Sequence, residues 1–194
     1  MGEFRLYFEL GLEHILDIKG YDHILFVIAL CAIYIARDWA RILILVTAFT
    51  IGHSITLALA TLQIIRVNSD LIEFLIPVTI FLTASSNLFV KSDNLYKSKV
   101  QTNYILALFF GLIHGMGFSN YLRSLLGRDE SIVTQLLAFN VGLEVGQIII
   151  VVGFMVISFI LVDLFGVFRR DWKLIISSAV IGISLTMIIE AKYW

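Results

Sequence analysis

Long apolar runs separated by short polar breaks recur from one end of the chain to the other. The breaks read RDWAR (37–41), QIIRVNSD (63–70), KSDNLYKSK (91–99), LRSLLGRDE (122–130) and FRRDWK (168–173). Within the runs apolar and polar residues do not alternate, which argues against barrel strands and for helices. A helix needs about 20 apolar residues to cross a hydrocarbon core of about 30 Å. The runs predict six transmembrane helices, over about 22–37, 42–62, 71–90, 102–120, 131–162 and 172–192. An amphipathic interfacial helix over about 3–18 precedes them, with a break at Gly20. The fifth run exceeds one perpendicular crossing, so it tilts or protrudes. Pro77 inside the third predicts a kink. The expected fold class is all-α, a polytopic membrane helix bundle, with residues 1–194 forming a single integral membrane domain.

Composition sharpens this reading. Hydrophobic residues make up 59% of the chain and charged residues 15%, against about 25% charged in soluble domains. The bilayer is therefore the expected environment, and a net charge of −1 argues against nucleic acid as a partner. The single cysteine, Cys31, excludes an intrachain disulfide and a cysteine metal cluster. The opening MGEFRLYFELGLEH carries Glu3 and Glu9 and lacks the basic-then-apolar pattern of a cleavable signal. Connections 1–2, 3–4 and 5–6 hold Arg37, Arg41, Lys91, Lys97, Lys99, Arg169, Arg170 and Lys173. The other side holds Arg5, Lys19, Arg66, Arg123, Arg128 and Lys192, spread over two loops and both termini. The denser set faces the cytoplasm, which places both termini outside. A homo-oligomer is compatible with this composition and is not specified by it.

The candidate chemistry lies in the few ionisable residues inside the runs. Asp22 and His23 open the first predicted span, His53 lies within the second, His114 in the outer third of the fourth, and Glu144 about a dozen residues into the fifth. Asn140 and Gln147 flank Glu144 on one helix face, and Ser54 adjoins His53. Each charged side chain costs about 2.5–3.5 kcal/mol at a span centre, so such groups face one another or water. Neutral imidazoles with carboxylates suit Zn, Ni, Co or Mn, and the shortage of thiolates and thioethers at these positions argues against Cu(I). Asp22 and His23 point about 100° apart on a helix. Either the Gly20 break lets both bind one ion, or His23 binds while Asp22 orients another group. His14 is a candidate capture ligand at the mouth. Gly111 with Gly115 and Gly142 with Gly146 form small faces that are expected to draw His114 and Glu144 together. FTIGHS (49–54) and FGLIHG (110–115) both set Phe four residues before His, as an internal duplication would.

Four stretches, HILDIKGYDHILFVIAL, TAFTIGHSITLALA, GLIHGMGFS and LLAFNVGLEVGQ, resemble the signature blocks of the HupE/UreJ family, in its second, HupE/UreJ-like branch. The resemblance implies a small polytopic inner-membrane protein related to nickel or cobalt permeases that serve hydrogenase or urease maturation. It carries Asp22, His23, His53, His114 and Glu144 over as candidate site residues. Two departures stand out. Nickel-permease members separate the first His from Asp-His by five residues where this chain has seven, and place glutamate where this chain has Asn120. The reading favoured is a transporter of a divalent transition-metal ion, with Thr47, Thr50, Thr83, Ser85, Ser86, Asn87, Ser177 and Ser178 as polar steps. The alternative is an intramembrane zinc-dependent hydrolase acting on a lipid or acyl substrate, with Glu144 or Asp22 as general base.

Overall fold

The computed structural model describes residues 2–90, 100–126 and 132–191, and the regular elements among them are helical. They are α1 (Glu3–Leu16), α2 (Asp22–Cys31), a short 3₁₀ turn (Ala36–Asp38), α3 (Trp39–Thr61), α4 (Ser69–Phe89), α5 (Val100–Gly117), α6 (Ser119–Leu126), α7 (Ile132–Ser158) and α8 (Arg169–Glu190). A π-helical turn, Phe159–Leu164, prolongs α7 to 33 residues. Helices α3, α4, α7 and α8 are each long and apolar enough to cross a membrane. A fifth crossing forms if α5 and α6, bent by 48° at Phe118, count as one. The molecule is thus an all-helical, multi-pass membrane bundle. Of the residues used to read orientation, Lys91, Lys97, Lys99, Arg128 and Lys192 lie outside the described residues.

The first predicted span differs from the structure. Helix is expected to 37, yet α2 ends after ten residues, too short to cross alone. Tyr34 N–H bonds back to the Cys31 carbonyl, and Ile35 is extended at φ −120°, ψ 166°. The segment stays apolar because Cys31 and Tyr34 pack with Val162 and Trp172. Hydropathy reports that burial and says nothing of the backbone. Elsewhere the predicted spans lie within a few residues of α3, α4, α5, α7 and α8. The α4 helix runs from Ser69 to Phe89 without a break at Pro77. Asn68 caps it, its side chain accepting from Asp70 N–H at 2.9 Å.

Two parallel helix pairs form the centre. In the first, α1 buries Tyr7, Gly11 and Ile15 along α7 and exposes Arg5, Glu13 and Asp17. Contacts advance together along both helices: Glu3 bonds Gln135, Gly11 meets the Phe139 carbonyl, and Ile15 meets Gly146. In the second pair, Gly52 of α3 meets the Leu108 carbonyl of α5, while Gly111 and Gly115 of α5 meet the carbonyls of Phe49 and His53. The two small faces therefore serve different partners, α3 for Gly111 and Gly115 and α1 for Gly142 and Gly146. A glycine without Cβ admits a neighbouring backbone carbonyl, so each face is spent on its own pair. An antiparallel α4–α8 pair closes the bundle. Lys173 Nζ donates to the Val90 carbonyl at one end (2.6 Å), and Glu73 and Glu190 line one cleft at the other.

Candidate metal site

The break between α1 and α2 places four imidazoles in one nest. His14 comes from the last turn of α1, His23 from the first turn of α2, His53 from the middle of α3 and His114 from the last turn of α5. Ring centroids lie 4.7 Å apart for His14 and His23, 5.1 Å for His23 and His114, and 6.1 Å for His23 and His53. His53 and His114 are 0% and 1% exposed, and His23 4%. One ligand atom each from His14, His23 and His53 lie within 4.8 Å of one another, and so do those of Asp22, His23 and His114. Tetrahedral donors at the usual 2.0–2.1 Å from zinc stand about 3.4 Å apart, so a small contraction completes either group. His23 belongs to both.

Hydrogen bonds fix which nitrogens are available. Asp22 Oδ1 accepts from the His23 backbone N–H (2.9 Å) and sits 3.0 Å from His23 Nδ1. A carboxylate only accepts, so Nδ1 carries the proton and Nε2 keeps its lone pair. The Thr79 hydroxyl donates to the Ile76 carbonyl (2.7 Å), so toward His114 Nε2, 3.3 Å away, it accepts. That leaves the lone pair of His114 on Nδ1. The buried ring nitrogens without a hydrogen-bond partner are His14 Nε2, His23 Nε2, both nitrogens of His53, and His114 Nδ1. An unsatisfied buried polar atom costs about 1–3 kcal/mol. Clustered imidazoles that each keep a lone pair without a partner fit a cation better than they fit packing. Second partners that hold a metal-binding histidine in one tautomer, as Asp22 and Thr79 do here, are the usual support of such a site.

The other sequence candidates occupy a neighbouring level. Glu144 lies outside both groups; its Oε1 accepts from Thr47 (2.6 Å), and Oε2 is buried without a partner. Gln147 Oε1 accepts from Thr50 (2.7 Å). Ser54 donates to the Thr50 carbonyl and Asn140 to the Leu136 carbonyl, so both bond their own helices rather than an imidazole. Thr79 and the aromatic walls went unread in the sequence. Phe118 lies 4.0 Å from the His14 ring, while Phe26 and Phe49 lie 5.3 and 5.2 Å from His114. A threonine or phenylalanine in an apolar run carries no local mark of such a role.

Two clefts reach the site. His14 lines an open cleft of about 560 Å³ together with Glu13, Asp17, Phe118 and Tyr121. Asp22 lines a second one of about 400 Å³, with Lys19, Glu73 and Glu190. Phe26 and Phe49 lie against His114 and pack into the core with Phe110, which itself lines a further cavity of about 400 Å³ with Thr83, Ser86 and Asn87.

The described residues thus form a multi-pass helical bundle whose histidines and Asp22, gathered at a helix break, could hold a metal ion. The chain belongs to the HupE/UreJ family: the model described as HupE / UreJ protein matches residues 1–192. Searches of curated proteins and of solved structures found no match to the chain.

Proposed function

We propose that the protein carries a divalent transition-metal ion of the Ni, Co and Zn class across the inner membrane. The observation that carries this reading is the nest of five unpaired buried ring nitrogens at the junction of α1 and α2. In this reading α1 and α2 together make the first of six crossings: α1 descends along α7 as far as Gly146, and Val27 and Cys31 of α2 continue beside Val151 and Phe154. Discontinuous helices that meet at a binding site are a recurrent device of carriers. Both termini face the extracytoplasmic side. Glu13 and Asp17 draw the cation to His14, and His23, His53 and His114 strip its water.

Asp22 acts by orienting His23. Asp22→Asn should weaken metal affinity by about 10–100-fold without abolishing it, the usual cost of losing such a partner. Titration calorimetry with Ni(II), Co(II) and Zn(II) on purified protein reads this directly, and unchanged affinity would remove Asp22 from the site.

Orientation has its own test. In a Cys31→Ala background, cysteines at the exposed positions Asn68 and Arg37 should react with an impermeant thiol reagent from opposite faces, Asn68 from outside. Labelling of Arg37→Cys from outside would invert the bundle.

A further inference from the structure

The two central helix pairs are built by the same contacts. A Cβ placed on Gly11 would strike the Phe139 carbonyl and lie 3.1 Å from Leu143 N, and one on Gly111 would strike the Phe49 carbonyl and lie 3.1 Å from His53 N. The reverse contacts match too: Gly142 meets the Phe8 carbonyl and Leu12 N (3.0 Å), as Gly52 meets the Leu108 carbonyl and Leu112 N (3.0 Å). Adding a hundred to each α1 position and subtracting ninety from each α7 position converts one set into the other. The sequence follows the same rule, with Gly-Leu-x-His at 11–14 and 111–114, and Ala-Phe-x-x-Gly at 48–52 and 138–142. The outer helices carry a like offset, α8 (Arg169–Glu190) lying a hundred positions after α4 (Ser69–Phe89).

Equivalent helices run in opposite directions. Leu57, near the end of α3, packs with Phe139 and Leu143, near the start of α7, whereas Leu45 and Val46 pack with Val151 and Phe154. The repeat is therefore inverted, and it pairs α1 with α5 and α3 with α7. It does not pair α3 with α5, the helices that share the Phe-x-x-x-His spacing. It also reaches the site: His14 faces Phe139 at 5.7 Å as His114 faces Phe49 at 5.2 Å. Side chains tilt toward the N-terminus of their helix, so His14 and His114 reach toward opposite faces, with His23 between them.

We infer that the site is a pair of stations exchanged by this internal two-fold. His14 serves one face of the membrane, His114 serves the other, and His23 passes the ion between them. The structure holds the His14 side open, with the His114 side shut by Phe26 and Phe49; the opposite state exchanges those roles. This inference rests on the transport reading.

The test uses the full chain in vesicles of both orientations, with Ni(II) supplied to one face at a time. His14→Gln should raise the half-saturating concentration about tenfold or more at one face only, and His114→Gln should do so at the other face only. Both variants acting on the same face would overturn the paired stations while leaving transport intact. Wild-type protein that binds Ni(II) and moves none overturns transport and this inference together. Because a histidine variant can fail to fold, Glu13→Cys and Ile113→Cys in a Cys31→Ala background give a second reading. An impermeant thiol reagent should label them from opposite faces, and labelling of both from one face contradicts the exchange.

Discussion

Replacing His23 by alanine is expected to abolish measurable metal binding, a larger loss than any other single substitution in the nest. His23 contributes to both groups of ligand atoms, and its Nε2 is the nitrogen left free by the bond to Asp22. Losing His53 or His114 breaks one group and leaves the other. The double variants should therefore be non-additive: once His23 is alanine, adding His53→Ala or His114→Ala costs little more. Calorimetric titration of the single and double variants measures this. Independent, multiplicative losses would mean that the histidines do not act as one unit.

The second large effect concerns the fold. Gly11→Ala and Gly111→Ala each put a methyl group against a backbone carbonyl of the neighbouring helix, Phe139 and Phe49 respectively. A carbonyl cannot rotate away as a side-chain tip can, so the helices must separate, at a cost of about 1–3 kcal/mol or more. Gly153 and Gly182, with nothing within 4 Å of a Cβ, supply the control. Alanine there should be neutral or stabilising by up to about 1 kcal/mol, from helix propensity alone. Thermal unfolding in detergent separates the two classes. A uniform response at all four positions would show that the pairs are not held by backbone approach.

Much of this architecture was legible in the residues, for reasons that also mark where legibility ended. The apolar runs of α3, α4, α7 and α8 found their helices because each run is one helix bounded by polar residues. The run from Phe26 to Ile35 did not, because Ala32–Ile35 is apolar through burial under α7 and α8 rather than through helical crossing. Depth in the predicted spans put Asp22, His23, His53, His114 and Glu144 at one level; in the structure His23 stands between His53 in one group and Asp22 with His114 in the other, and Glu144 lies outside both. Glu144 stood out as an acid in an apolar helix, but its partner Thr47 is 97 residues away, a pairing that spacing along one helix cannot reveal. The inverted repeat was hidden for a similar reason. Its signature is a match of contacts between helices, and the local likeness of the α3 and α5 segments pointed to helices that pack together, not to helices that are equivalent.

The central claim is that the nest binds an ion in order to release it across the membrane. The most direct measurement is Ni(II) and Co(II) flux into sealed vesicles holding the purified protein, wild type against His23→Ala, with metal content determined on the same preparations. Saturable flux in the wild type, lost in His23→Ala, with little metal retained through purification, is the predicted result. A stoichiometric zinc ion retained through purification, with no flux of any of these metals, would contradict transport and favour an intramembrane hydrolase.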